Sequence, residues 1–231
     1  MPPALFPVLR YLRVPLVVTV WSHLLAGGLV TGLWPVPLWT GFTCVYLFGM
    51  AHNDWVDRES DRKAKPSRPL PSGALSEGSA RILMSFLLFG IGLSYLAGSV
   101  DPEIENRALW MPFSLACAWT YNTLKGRHPV SAAMLLGMAR ACVWLAFLAI
   151  PALITGLAGA LITLWSTTEE AHPWRRTWTL RFLLTLPILD ACHVMIQGIR
   201  GQSIWVMAVF PILSMTGLVL VRLLAKPFPR G

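Results

Sequence analysis

Charged side chains are scarce in this sequence of 231 residues. Lys, Arg, Asp and Glu together make up 13% of the chain, whereas hydrophobic residues make up 55% and the mean hydropathy is +0.58. Soluble domains carry roughly 25% charged residues, so this composition excludes an ordinary soluble enzyme and a disordered chain. The four cysteines all lie in apolar stretches at no metal-ligand spacing, which argues against a disulfide scaffold and a cysteine-ligated metal.

Long apolar runs take the place of the missing charges. They extend over about 20 residues, the length that crosses roughly 30 Å of hydrocarbon. Because the bilayer interior offers backbone groups no water and the runs do not alternate, helices are favoured over a barrel. We predict an all-α fold, a polytopic transmembrane helical bundle of about eight spans, forming a single membrane-embedded domain over residues 1–231. The predicted spans are 14–34, 36–53, 79–100, 107–124, 130–149, 151–168, 177–199 and 203–224.

Acidic residues are scarcer still than basic ones, and the net charge is +8. The basic residues lie between the predicted spans, so membrane lipids with anionic headgroups are the expected partners and nucleic acid is not. With the N-terminus inside, sixteen Lys and Arg residues fall on the cytoplasmic side and two fall outside. The sequence therefore predicts a multi-pass protein of the cell (inner) membrane with both termini cytoplasmic, and it identifies no protein partner.

The segment that carries chemistry follows the second predicted span. Asp54, Asp57 and Asp61 stand at i, i+3 and i+7, so their carboxylates share one face if the helix continues past the membrane surface. Like charges so placed repel one another, whereas Mg²⁺ prefers such hard oxygen ligands together with water and substrate phosphates. With Asn53 they predict a site for Mg²⁺ and a diphosphate leaving group, and Arg68 can fork onto phosphate oxygens. The alternative is a set of inert, solvated charges at a helix end.

Two patches carry a resemblance to a known family. Asn53-Asp54-x-x-Asp57-x-x-x-Asp61, followed by Arg68-Pro69-Leu70-Pro71-Ser72-Gly73, resembles the first aspartate-rich motif of the UbiA superfamily of intramembrane prenyltransferases. Tyr121-Asn122-Thr123-Leu124-Lys125 resembles that family's Tyr-x-x-x-Lys element. The resemblance, to a short and divergent branch, implies a UbiA-like bundle with a lipid-open cavity. It also implies Mg²⁺-dependent transfer of an isoprenyl group from an isoprenyl diphosphate to an aromatic or other small acceptor.

The resemblance also implies roles for individual residues. The three aspartates of the first motif and Asn53 are implied to hold Mg²⁺ and the diphosphate. Arg68 and Lys125 are implied to contact phosphate, and Tyr121 to line the reaction site. Tyr121 and Lys125 lie four residues apart and so can share a helix face, which makes the assignment geometrically possible.

The sequence departs from the family pattern at the second site. The place of the family's second aspartate cluster holds Thr-Thr-Glu-Glu-Ala-His, residues 167–172. Adjacent residues cannot share one helix face, so we expect Glu169 or Glu170 to act alone. Of the two, Glu170 is the expected Mg²⁺ ligand, and both are candidate substrate contacts.

Two further charges lie inside predicted spans, Arg140 and Asp190, at similar depths. Each alone is expensive in lipid. They either form a buried ion pair, or Asp190 faces the cavity and assists the acceptor or a carbocation, with Arg140 as a substrate contact. The sequence favours packed or hydrogen-bonded roles for His23 and His193.

Other functions remain open at this point. The same diphosphate chemistry supports a UbiA-type membrane terpene cyclase, in which a double bond of the prenyl chain itself attacks the cation. A CDP-alcohol phosphotransferase would need glycine where Trp55 stands. A catalytically silent or transport bundle would tolerate replacement of Asp54 and Asp57 by alanine.

Overall fold

The computed structural model describes residues 5–147 and 149–167, together with residues 190 and 194. Every regular element in these ranges is helical and they contain no strand, which confirms the predicted all-α class. The elements are α1 (Leu5–Tyr11), a 3₁₀ turn (Val14–Leu16), α2 (Val18–Thr31), α3 (Val36–Ala64), α4 (Glu77–Ser99), α5 (Glu105–Ala108), α6 (Trp110–Leu124), α7 (Pro129–Leu145) and α8 (Ala149–Thr167).

Helices occupy six of the eight predicted spans, although their bounds differ from the expected ones. The span predicted at 107–124 is divided between α5 and α6. The spans predicted at 177–199 and 203–224 lie outside the described residues, apart from 190 and 194. By length and composition, two helical segments in the described ranges could cross a bilayer, Val14–Thr31 and Glu77–Ser99. The predicted count of eight spans is therefore not confirmed.

Helix α4 has one face that packs against the bundle and one apolar face that is exposed. Ser76 caps its first turn by accepting a hydrogen bond from the Ser79 amide at 3.0 Å. The inner face packs against α3 through buried apolar residues such as Leu87 and Ile91. The outer face carries an apolar stripe at helical spacing, with each side chain 58–69% exposed, formed by Ile82, Phe86, Phe89, Leu93 and Leu96. Contact with lipid accounts for a contiguous stripe of this kind.

Helix α3 determines where the polar residues of the molecule meet. Its first half is apolar and buries Phe42 and Phe48 against neighbouring helices. Its second half is charged and continues for 11 residues beyond the predicted end at 53, to Ala64. The last turn contains Arg62 and Lys63, whose charges suit the negative end of the helix dipole. One uninterrupted helix therefore connects the apolar interior to a charged end.

Glycine allows α7 and α8 to approach closely. A Cβ atom built on Gly137 would overlap the backbone carbonyl oxygen of Gly156, and it would lie 3.0 Å from the Cβ atom of Ala160. A side chain at residue 137 can therefore be accommodated only if the two helices separate. Gly92, on the exposed side of α4, has no atom within 4 Å of the equivalent position.

We expect Gly137→Ala to destabilise the protein and Gly92→Ala to leave it unchanged or slightly more stable. Overpacking of the α7–α8 contact costs about 1–3 kcal/mol. In an exposed helix interior, alanine is favoured over glycine by up to about 1 kcal/mol. Thermal unfolding of the two variants in lipid nanodiscs measures the difference. Equal midpoints for both variants would contradict the close approach.

Candidate functional site

The three aspartates of α3 lie on one face of the helix, as their spacing predicts. Asp54 and Asp61 are buried, with 5% and 4% of their surface exposed, and Asp57 is half-buried. On the other side of the same turns, Arg58, Glu59 and Arg62 form a more exposed set of ion pairs that includes Glu77 from the first turn of α4. The helix therefore directs one set of charges inward and leaves the other in solvent.

Each inward aspartate contacts a basic side chain from another part of the chain. Arg13 donates to Asp54 at 2.6 Å, and Arg68 donates to both Asp54 and Asp61. Arg13 lies 41 residues from Asp54, so folding brings that pair together, whereas Arg68 reaches its partners from the loop that directly follows α3. Because unpaired buried carboxylates are costly, the pairing is a condition for this face of α3 to be buried.

Lys125 completes the set at the third aspartate. Its amine donates to Asp57 at 2.6 Å and to the side-chain oxygen of Asn53, also at 2.6 Å. Burial lowers the pKa of Lys125, while the hydrogen bond to Asp57 opposes that shift. Three carboxylates thus accept hydrogen bonds from three cations, and the cluster formed by Asp54, Asp57, Asp61, Arg13, Arg68 and Lys125 has no net formal charge. We call this set the ionic cluster. The more exposed Lys65 lies 4.0 Å from Asp61 at the edge of this cluster.

The loop after α3 positions Arg68. The amide of Ser72 donates to the Arg68 carbonyl at 2.9 Å, and the amide of Leu75 donates to the Pro69 carbonyl, also at 2.9 Å. Gly73 adopts φ +74°, a left-handed conformation that glycine tolerates without strain. Leu70 and Leu75 are buried in the core. The prolines, the glycine and two apolar anchors therefore form an ordered turn.

Asn122 fixes the position of α6 against α3. Its side-chain amide donates to the Gly49 carbonyl at 3.1 Å and lies 3.2 Å from Nδ1 of His52. Because Asn122 and Lys125 lie one turn apart on α6, this buried contact holds Lys125 at the level of Asp57. Sequence reasoning did not single out Asn122, although it lies inside the Tyr-x-x-x-Lys element.

Arg13 is a second residue that the sequence analysis missed as part of the site. It was counted only among the cytoplasmic basic residues. The structure places it at φ 49°, the one positive φ among non-glycine residues of the described ranges. Burial alone would lower the pKa of Arg13, but the neighbouring Asp54 carboxylate raises it above its ordinary value. The available signal was Pro15, two residues later, which favours a turn ahead of the first long helix.

The donor chemistry of the α3 face suits Mg²⁺, since it offers three carboxylates and the Asn53 side-chain oxygen. In the described part of the chain no three acidic, histidine or cysteine side chains converge on one point. An ion here would take one or two carboxylates and complete its shell with phosphate and water, which is the usual way that proteins bind Mg²⁺.

A cavity of about 60 Å³ lies one helical turn deeper than the ionic cluster. Gly49, four residues before Asn53 on α3, belongs to its wall, and so does Tyr121, four residues before Lys125 on α6. The polar and aromatic part of the wall further includes His23, Tyr46, Ser114, Asn122 and Arg140. The structure therefore places Tyr121 and Arg140 on one cavity, next to the ionic cluster.

The ion pair considered between Arg140 and Asp190 does not form. Asp190 is 2% exposed and instead accepts hydrogen bonds from Ser22 and Trp144 and contacts His23. One guanidinium nitrogen of Arg140 is buried and has no hydrogen-bond partner among the described residues. Equal depth made an ion pair one of two alternatives, and the structure shows Asp190 with other partners, one of which, His23, shares the cavity wall with Arg140. Glu169 and Glu170, expected to form a second site, lie outside the described residues.

Comparison with known proteins shows several similarities. The profile described as the UbiA prenyltransferase family matches residues 16–174. The 4-hydroxybenzoate octaprenyltransferase of Pectobacterium atrosepticum is 33% identical over 111 residues, which cover 46% of this chain and 37% of that protein. The enzyme of the same name from Edwardsiella ictaluri is 35% identical over 128 residues, covering 52% and 41%. The match thus spans about two fifths of the length of these curated relatives.

Two further similarities concern another enzyme name. The digeranylgeranylglyceryl phosphate synthase of Korarchaeum cryptofilum is 43% identical over 58 residues, which cover 25% of this chain and 21% of that protein. A solved structure described as a digeranylgeranylglyceryl phosphate synthase in membranes aligns with a TM-score of 0.58, covering 97% of this chain and 88% of its own. At 18% sequence identity, this likeness shows the fold alone.

We expect a double-mutant cycle to find strong coupling between Lys125 and Asp57. The variants Lys125→Met, Asp57→Asn and their combination isolate a buried contact, for which coupling of about 0.5–3 kcal/mol is typical. The exposed pair Arg62 and Glu59 is the control, with expected coupling of about 0.2–1 kcal/mol. Unfolding free energies measured in one detergent check both values. Coupling no larger at Lys125 than at Arg62 would contradict the buried arrangement.

Proposed function

Because the chain belongs to the UbiA prenyltransferase family, we propose that it transfers a prenyl group from an isoprenyl diphosphate to a small acceptor. The resemblance predicted from the aspartate motif is confirmed at the level of the family. Its members are integral membrane proteins, which agrees with the exposed apolar stripe of α4. We further propose a bacterial inner-membrane location, cytoplasmic termini and a single membrane-embedded domain.

The observation that carries the proposal is the neutral ionic cluster beside the cavity. Its three cationic side chains donate to carboxylate oxygens, and they can donate to phosphate oxygens instead when a diphosphate binds. The resemblance implies phosphate contacts for Arg68 and Lys125, and we add Arg13 because it contacts Asp54, as Arg68 does. Charge-assisted hydrogen bonds from Arg and Lys to phosphate are among the strongest that proteins form. The cluster can therefore hold a diphosphate without leaving any carboxylate uncompensated, provided that a cation takes the vacated place.

Mg²⁺ is the cation that we propose for that place. One or two of the carboxylates of Asp54, Asp57 and Asp61, with the Asn53 side-chain oxygen, would hold it. Glu169 or Glu170 would serve a second site, as the sequence predicts. When bound, the metal neutralises charge on the departing diphosphate. The basic residues of the chain orient the diphosphate so that the allylic carbon of the attached prenyl group enters the cavity.

The cavity wall provides surroundings suited to an allylic cation, and at about 60 Å³ the cavity has to widen to admit a prenyl chain and an acceptor. Phe42, Tyr46 and Tyr121 contribute aromatic rings to a mostly apolar wall, and ring faces attract cations. Arg140 adds a positive charge, and one of its guanidinium nitrogens has no hydrogen-bond partner among the residues that the structure describes. We therefore propose that Arg140 binds an anionic group of the acceptor. The names of the relatives include 4-hydroxybenzoate and a glyceryl phosphate, and both compounds carry such a group. These relatives are named for transfer and synthesis, so we propose transfer in preference to cyclisation.

We expect Asp57→Asn to abolish Mg²⁺-dependent diphosphate release, by a factor of about 100 or more, because it removes a metal ligand and the partner of Lys125. Glu59→Gln is the matched control on the exposed side of the same helix, and it should retain activity. Release from geranyl, farnesyl and geranylgeranyl diphosphate is measured in nanodiscs with Mg²⁺ and with a chelator. Release that persists at the wild-type rate in Asp57→Asn would overturn the assignment of the site.

We expect Arg140→Met to raise the KM for a carboxylate acceptor about 10- to 100-fold while the KM for the prenyl diphosphate stays constant. The reason is loss of one charge-assisted contact in a water-poor cavity. The probes are 4-hydroxybenzoate and its uncharged analogue 4-hydroxybenzamide. The amide should be affected little by the substitution. Equal losses with both probes would show that Arg140 supports the fold and does not select the acceptor.

A further inference from the structure

A buried polar network joins α2, α7 and residue 190. Asp190 accepts hydrogen bonds from the Ser22 hydroxyl at 2.7 Å and from the Trp144 indole at 3.1 Å. The same carboxylate oxygen that binds Ser22 lies 2.7 Å from Nδ1 of His23. Asp190 and the His23 side chain are each no more than 2% exposed. This carboxylate is thus satisfied by three donors and none of them is a permanent cation.

The contact with Asp190 fixes the state of the His23 ring. A carboxylate can only accept, so Nδ1 carries the proton that it shares with Asp190. In the neutral ring the other nitrogen, Nε2, is then an acceptor. Nε2 is buried and has no hydrogen-bond partner among the described residues. A carboxylate that holds one imidazole nitrogen and leaves the other free is the arrangement by which proteins orient a general base.

The position of His23 connects this pair to the proposed reaction. His23 belongs to the wall of the same cavity as Tyr121 and Arg140. The cavity lies next to the ionic cluster, where the diphosphate is proposed to bind. His23 therefore brings a buried nitrogen, which has no partner among the described residues, to the wall of the cavity where the acceptor and the allylic carbon are proposed to meet.

We infer that His23, oriented by Asp190, is the general base that takes the proton displaced from the acceptor. The inference rests on the proposed function. The allylic C–O bond breaks and its electron pair leaves with the diphosphate, while the reacting atom of the acceptor forms the new bond to the allylic carbon. The proton that this atom carried moves to Nε2 of His23. Asp190 stabilises the resulting imidazolium, which returns its proton to the departing diphosphate or to water.

A purely structural role is the competing explanation, since the network also links α2 to α7. That role requires the contacts of Asp190, but it does not require a free Nε2. The two explanations therefore differ in how the rate of transfer depends on the acidity of the acceptor. A base contributes most to an acceptor that holds its proton tightly, so its loss makes the rate depend more steeply on acceptor acidity.

The experiment compares His23→Gln and Asp190→Asn with the wild-type protein in nanodiscs. Geranyl diphosphate is the donor, and 4-hydroxybenzoate and its more acidic ring-fluorinated analogues are the acceptors. Released diphosphate and prenylated product are measured separately in each reaction. Ser94→Ala, which removes a buried hydroxyl bonded to Thr40 at the α3–α4 contact, is the control for general destabilisation. If no phenol is prenylated, water is the acceptor and prenyl alcohol is the product measured.

We expect His23→Gln to lower product formation about 100-fold or more and to steepen its dependence on acceptor acidity. Asp190→Asn should do the same, because its amide can donate to Nδ1 and so leave the proton on Nε2. Ser94→Ala should keep the wild-type dependence. Product formation by His23→Gln at the wild-type rate and slope overturns the base assignment alone. If the wild-type protein releases no diphosphate, the proposed function fails, and this inference fails with it.

Discussion

Three carboxylates on one face of a helix repel one another, and two of them are buried, so cations from elsewhere in the chain must neutralise them. Arg13 comes from the turn before α2, Arg68 from the loop after α3 and Lys125 from the end of α6. Loss of one partner from a buried ion pair typically costs about 3–5 kcal/mol. The packing of three separate segments around α3 therefore depends on the same charges that are proposed to bind the substrate. Stability and ligand binding compete for one set of side chains.

The position of the aspartates followed from the sequence because helical periodicity is a local property. No proline or glycine interrupts residues 51–64, and the helix ends at Ala64, two residues before Pro66. The hydropathy pattern placed the end at 53, since charge marks where a helix leaves hydrocarbon and not where it stops being a helix. The ordered turn that holds Arg68 was predictable for a similar reason, as its prolines and glycine act on the local backbone.

The remaining parts of the site depend on how helices rotate against one another. Depth along a span left a pair between Arg140 and Asp190 as one of two alternatives, because depth does not specify which neighbour a side chain faces. Trp144, one turn further along α7, contacts Asp190, while Arg140 belongs to the cavity wall with Tyr121. Arg13 was missed because membrane topology already explained a cytoplasmic arginine. Its left-handed backbone conformation also left no sequence signal, since the residue at that position is not glycine. Contacts between distant segments, such as Asn122 with Gly49, leave no periodic signal in a single sequence.

The length of α3 has a consequence for how the proposed substrate arrives. Its 29 residues extend for about 43 Å at 1.5 Å per residue, more than the roughly 30 Å of hydrocarbon in a bilayer. In the membrane location proposed above, the charged end with Asp54 to Asp61 would lie at the level of the lipid headgroups, and the cavity beside Phe42 would lie in the apolar layer. An amphiphile with a phosphate head and a prenyl tail occupies the same two layers before it binds. Such a substrate then meets the protein by lateral diffusion within the bilayer, and the rate of encounter depends on the mole fraction of substrate among the lipids. Added phospholipid should slow the reaction by surface dilution, even when the total amounts of protein and substrate are constant.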